Sequence, residues 1–241
     1  SPDRMVIAVS GAVNEAELLA LAERTFGAAV ASPAEEPAPA VFVGGEAKLS
    51  RRIEQANLVF MLPAPGVRDP AYSAVRLMTE ILGGGMASRL FQSAREERGL
   101  AYAIDAYHEP YEAEGVLGIY AGAAGDRAEE LAQVCAAEIR ALADDGPTPA
   151  ELARAKAVLN AGLWMSDESP AGRAGRHAAQ TLIFGAPIAS QTMADRVLAQ
   201  TAEDVRTAAR DLLVPARTAS AVLGPRAAAR AGGVFRDALF G

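Results

Sequence analysis

Between Ile81 and Tyr107 the sequence ILGGGMASRLFQSAREERGLAYAIDAY leaves the backbone few choices. Gly83-Gly84-Gly85 stops an apolar helix at Leu82, because glycine reaches backbone angles closed to other residues. Ser88 is placed to cap a second, short helix from Arg89 to Arg98, which Gly99 ends. An apolar and aromatic strand is expected from Leu100 to Tyr107. Ser88, Phe91 and Arg95 recur at three- and four-residue spacing and so share a helix face. Tyr102 stands seven residues beyond Arg95, after the chain has turned into the strand. A guanidinium and a phenol so placed can reach one peptide segment, Arg on a carbonyl and Tyr on a carbonyl or an amide. Spacing alone leaves a plainer reading open, in which Arg95 is a solvated helix residue and Tyr102 a strand core residue.

The elements around this stretch are read by the same rules. Leu58 to Leu62 is apolar on both faces and belongs in the middle of a sheet. Pro63, Pro65 and Gly66 end it, and Asp69-Pro70 opens the helix to Leu82. Gly115 to Ala121 is expected to pair antiparallel with Leu100 to Tyr107 across the acidic loop His108 to Glu114. A helix over 127–144 carries the stripe Leu131, Val134, Cys135, Ile139 and Leu142. The capping box Thr148-Pro149-Ala150-Glu151 starts another, and Ser169-Pro170 starts one that ends near Phe184-Gly185. Helices over 190–200 and 202–213 precede a strand from Ser220 to Leu223, and the Ala- and Arg-rich tail 224–241 is expected as a loose helix. Two adjacent strands after helices predict an α+β fold, a layered sheet with helices packed on one face.

The N-terminal stretch is different. Met5 to Val9 reads as a short buried strand, and Asn14 caps a helix with Leu18, Leu21, Ala22 and Thr25 on one side. A unit that small cannot bury both its apolar faces. Residues 31–40, ASPAEEPAPA, read as an extended connector, with a short strand expected at Val41 to Val43. The expected divisions are 1–30, a linker over 31–50 and a domain over 51–241. A net charge of −7 with no Lys/Arg run argues against a nucleic-acid binder. No apolar run approaches the ~18 residues of a membrane helix. Cys135, the single cysteine, lies on an apolar stripe as a buried thiol and allows no intrachain disulfide.

The run GGGMASRLFQ…REERGLAY closely resembles the signature of the C-terminal domain of the insulinase/pitrilysin family of zinc peptidases. Its nearest relatives look like bacterial homologues of the mitochondrial processing peptidase. The resemblance implies that Arg95 and Tyr102 help to hold the substrate backbone over a zinc ion. It makes residues 1–30 the last strand and helix of an N-terminal peptidase domain, and 51–241 the C-terminal domain. It also implies a parent zinc endopeptidase whose two homologous halves close around an extended peptide, with the zinc in the N-terminal half. The partners it implies are a peptide substrate, that N-terminal half, and a homologous subunit in a homodimer or heterodimer. It implies a bacterial source and leaves the compartment open between cytoplasm and periplasm.

Such a peptidase needs His-x-x-Glu-His on a helix and a distant Glu: two His one turn apart share the metal, and the Glu acts as base for the metal-bound water. The two histidines here lack those neighbours, since Pro110 follows His108-Glu109 and His177 sits in GRHAAQ. No metal ligand and no catalytic residue are expected in this chain, which should be inactive alone. Gly83-Gly84-Gly85 has no Gly-Lys-Ser/Thr after it and is no phosphate loop. Cys135 has no histidine in sequence context, and Asp144-Asp145 and Asp167-Glu168 lie at helix boundaries, where solvated capping is their ordinary role. Three functions compete: the substrate-binding half of a zinc peptidase, a non-catalytic partner or respiratory-complex-core-like subunit of the same family, and an α+β binding domain with no peptidase link.

Overall fold

Strand β2, Gln55–Pro65, turns Ala56, Leu58, Phe60, Leu62 and Ala64 to one side, and all five are buried. Antiparallel β4, Glu114–Ala124, sets Leu117, Ile119, Ala121 and Ala123 beside them, with Phe60 opposite Ile119 and Leu58 opposite Ala121. Strand β3, Ala101–Pro110, adds Ile104 and Ala106 at the edge. Beyond β2, β5 (Ala219–Gly224) runs antiparallel to it and parallel to β1 (Gly45–Ser50). The order is β1-β5-β2-β4-β3, so Leu58 to Leu62 does lie in the central strand. Pro63 and Pro65 stand where β2 has run past the Asn57–Met61 stretch that pairs with β5, so no ladder on that side needs their missing N–H. This is a computed structural model, and it describes residues 2–32 and 38–241.

Helices cover the buried side of the sheet. Helix α2, Tyr72–Gly83, packs on β3, and a Cβ on Gly83 would collide with the backbone nitrogen of Ala106. Only a glycine lets the helix end sit that close to the strand. Helix α3, Ala128–Asp145, buries Leu131, Cys135, Ile139 and Leu142, while Val134 is partly buried beside them. It packs against α7 (Ala202–Asp211) and α8 (Ala231–Phe240). This is the expected α+β layering, helices on one face of a five-stranded sheet.

The tail departs from expectation. Instead of a loose helix, α8 is part of the core: Phe235 is fully buried and its ring stacks on Phe60 with centroids 4.2 Å apart. The tail's many alanines mask an amphipathic helix whose buried face is Ala231, Gly232, Phe235 and Leu239. The strand placed at Val41 to Val43 falls instead at Gly45–Ser50, inside the stretch read as linker, because β5 offers it a parallel partner. Of the connector 31–40, residues 33–37 lie outside the described residues.

The chain divides into two compact units, Ser1–Pro39 with Asn160–Arg196, and Ala40–Leu159 with Val197–Gly241. The sheet belongs to the second. In the first, α1 (Glu15–Phe26) is capped by Asn14, whose side chain accepts from the amides of Ala16 and Glu17. Helix α4 (Pro149–Glu168) begins in the larger unit and ends in the smaller, which also holds α5 (Pro170–Phe184) with its Ser169 cap. Arg173 of α5 donates to the Ser10 hydroxyl and the Asp167 carbonyl, and Arg176 pairs with Asp167. Met5 to Val9 is not a strand: among the described residues no strand lies beside it, and a strand needs a neighbour for its N–H and C=O groups. Met5, Ile7, Val9 and Leu19 are all close to half exposed or more, an apolar surface left uncovered within this chain.

Candidate functional site

The short helix after Ser88 is wound more widely than the sequence pattern suggests. Over Phe91–Glu96 it is a π-turn, in which the Glu97 amide reaches back five residues to the Gln92 carbonyl. Gly99, at φ +58°, takes the left-handed conformation and returns its amide to the Arg95 carbonyl. The Leu100 amide bonds the Ala94 carbonyl, and the chain enters β3. Ser88 does not cap the helix with its side chain. Its carbonyl accepts from the Gln92 amide, while its buried hydroxyl finds no partner among the described residues. The turn is tied instead by the Gln92 side-chain amide, which donates to the Met86 carbonyl at 2.6 Å.

Phe91 and Arg95 do share a face, with the guanidinium 4.8 Å from the ring centroid. The aromatic ring gives an exposed arginine a resting place that leaves its N–H groups free to donate outward. Tyr102 stands at the register shift between Ala101 and Ala103, a bulge on the edge strand, and is 65% exposed. It is not a strand core residue. The π-turn packs on β3, so the two side chains leave adjoining elements into solvent.

What holds the π-turn in place was not visible in the sequence. Arg89 makes a two-pronged pair with Glu151 at 2.7 and 2.9 Å and also donates to the Gly146 carbonyl. Glu151 is the capping-box glutamate of α4, accepting from the amide and hydroxyl of Thr148, and Arg154 donates to the Ala87 carbonyl. The N-terminal turn of α4 thus clamps residues 87–89, just upstream of Arg95. Hydrogen bonding from Arg89 holds the Glu151 carboxyl at about 2, well below the usual carboxylate range. A carboxylate depressed in the folded state stabilises above its unfolded pKa and loses that contribution as pH falls toward the folded one. The clamp is therefore expected to weaken from about pH 4.5 down to about pH 2. Acid titration of the thermal midpoint should show a steeper fall over that range in the wild type than in Glu151→Gln; parallel curves would remove the clamp.

His108 and Cys135 serve packing. His108 donates from Nε2 to the Pro65 carbonyl at 3.0 Å, lies against Tyr72, and is pushed down in pKa by burial. With Tyr72, Arg76 and Glu80 it lines a cavity of about 160 Å³ between α2 and β3. Cys135 is fully buried and its thiol is pushed far up. Among the described residues no three His, Cys, Asp or Glu side chains gather where they could share a metal ion. No helix among them is long and apolar enough to cross a membrane.

Against this geometry the likeness to known proteins can be set. A family model described as the peptidase M16 inactive domain matches residues 1–159. An uncharacterized zinc protease of Streptomyces coelicolor is 31% identical over 233 residues, covering 93% of this chain and 50% of its own. One of Mycobacterium tuberculosis is 33% identical over 236 residues, covering 95% and 54%. The crystal structure of a peptidase M16 inactive domain from Pseudomonas fluorescens superposes with a TM-score of 0.73 at 26% identity, covering 88% of this chain and 52% of that one. A protease from Helicobacter pylori gives 0.77 at 19% identity over 90% and 54%, a likeness of fold alone. The chain spans about half the length of these relatives. The peptidase resemblance carried by GGGMASRLFQ…REERGLAY holds, and the chain belongs to the peptidase M16 family, in the part of it described as the inactive domain.

Proposed function

We propose that this chain is the substrate-binding half of a zinc-dependent endopeptidase, and that Arg95 and Tyr102 hold the backbone of an extended peptide while the other half cleaves it. The observation that carries the reading is the presentation of these two side chains. Both are exposed, one over a phenylalanine ring on a braced π-turn and the other at a bulge on an edge strand. An edge strand has unpaired N–H and C=O groups that can take a peptide as an added strand. Arg95 would donate to a peptide carbonyl, and Tyr102 would bond a carbonyl or an amide next to it.

On this reading the zinc belongs to a separate N-terminal half, where it would polarise the scissile carbonyl and activate water. Residues 1–30 are the end of that half, which accounts for the uncovered apolar side chains Met5, Ile7, Val9 and Leu19. A single chain with both halves, or a pair of homologous chains in a homodimer or heterodimer, would close the same chamber.

The zinc content of the full-length protein, purified without chelators, tests the assignment. About one zinc per chain is expected. A folded protein without zinc would instead mark a non-catalytic partner, with Arg95 and Tyr102 serving an active site on another chain.

A further inference from the structure

Two charges on helix α2 stand one turn apart without meeting. Arg76 and Glu80 have the four-residue spacing of a helix ion pair, yet among the described residues no ion pair joins them. The Arg76 guanidinium turns back over the Tyr72 ring, 5.8 Å from its centroid. The Glu80 carboxylate turns the other way and lies over Gly84, where a Cβ would collide with it. Both side chains are half-buried. With Tyr72 and His108 they line the cavity of about 160 Å³ between α2 and β3, and Pro110 and Leu159 give that cavity an apolar wall.

Glu80 is badly placed for stability. It sits in the last turn of α2, where backbone carbonyls gather and a carboxylate is disfavoured. Burial raises its pKa, and the nearby Arg154 and Arg76 do not fully offset that. Arg154 gives its guanidinium to the Ala87 carbonyl at 2.8 Å. His108 brings no charge to the facing wall, since burial lowers its pKa and its Nε2 is bonded to the Pro65 carbonyl. The cavity thus holds one guanidinium and one carboxylate, held apart and each without an ion-pair partner among the described residues. Its volume is that of about five water molecules at ~30 Å³ each. A matching occupant is small, apolar at one end, and carries an ammonium and a carboxylate close together.

We propose that this cavity is a binding site for a small aliphatic α-amino acid. Glu80, backed by the carbonyl end of α2, receives the ammonium, and Arg76 donates to the carboxylate. The aliphatic side chain rests on Pro110 and Leu159. The Tyr72 ring already holds the guanidinium at the cavity, so binding costs little further ordering of that long side chain. Neither Arg95 nor Tyr102 lines the cavity, so the inference stands apart from the substrate-binding reading above.

Isothermal titration of the full-length protein with L-valine tests the site. Saturable binding in about the millimolar range is expected, ordinary for so small a ligand. L-valinamide, which lacks the carboxylate, and the hydroxy-acid analogue, in which a hydroxyl replaces the ammonium, should each bind about tenfold more weakly, the loss of one charged hydrogen-bonding partner. Glu80→Gln should weaken L-valine about tenfold and leave the hydroxy acid as it was, while Arg76→Gln should weaken L-valine by as much and leave L-valinamide as it was. Both variants should keep the wild-type circular dichroism spectrum and thermal midpoint, because each removes a charge that has no ion-pair partner among the described residues. No saturable binding of L-valine by the wild type would overturn the site, and so would equal binding of the three ligands, which needs no variant. Binding of L-valine that neither substitution weakens would also overturn it, by placing the amino acid elsewhere on the protein.

Discussion

Arg95→Ala in the full-length protein is expected to lower kcat/KM for peptide hydrolysis by about a hundredfold, the usual cost of removing one well-aimed donor. Zinc content and thermal midpoint should stay at wild-type values, because Arg95 is exposed and rests on the Phe91 ring at the surface. Arg95→Lys should recover little, since a lysine ammonium cannot present two donors in a plane. The comparison that matters is turnover against metal content in the same preparation. Unchanged kinetics in a zinc-loaded Arg95→Ala protein would remove the residue from the substrate grip, whatever the motif resembles.

Phe235→Ala is expected to destabilise the sheet-bearing unit by about 3–5 kcal/mol, the range for truncating a buried phenylalanine. The ring is fully buried and stacked on Phe60 at 4.2 Å, with the ring planes 8° apart, so its removal opens a cavity against the central strand. Phe235→Leu should restore most of the loss by refilling the space. Urea unfolding, followed by circular dichroism, would measure both. A loss below about 1 kcal/mol for the alanine variant would mean that the last helix is an ornament of the core and not a part of it.

The fold was legible wherever hydrophobic period and turn chemistry agreed. Leu58 to Leu62 was readable as a central strand because both its faces are apolar, and α5 and α7 because Ser169 and Thr201 cap them. Misreadings arose where one residue's setting depends on a distant one. Phe235 gains its place from Phe60, and Gly45–Ser50 becomes a strand only because Ala219–Gly224 lies beside it. The same holds at the candidate site. The spacing of Phe91 and Arg95 could be read directly, whereas the Arg89–Glu151 clamp joins residues 62 positions apart and no local pattern announces it. Met5 to Val9 shows the opposite failure: an apolar run is no strand until a partner strand is present.

The parallel pairing of β1 with β5 has a consequence for how the protein is made. Gly45 finds its partner only in Ala219, and Phe60 its stacking ring only in Phe235. During synthesis β1 and β2 leave the ribosome long before either partner exists, so the apolar side of β2 waits uncovered while the intervening helices are translated. Closure of the sheet is thus a late event in synthesis. A nascent chain stalled before residue 219 would present Leu58, Phe60 and Leu62 beside an unpaired strand edge, the surface that chaperones and proteases recognise.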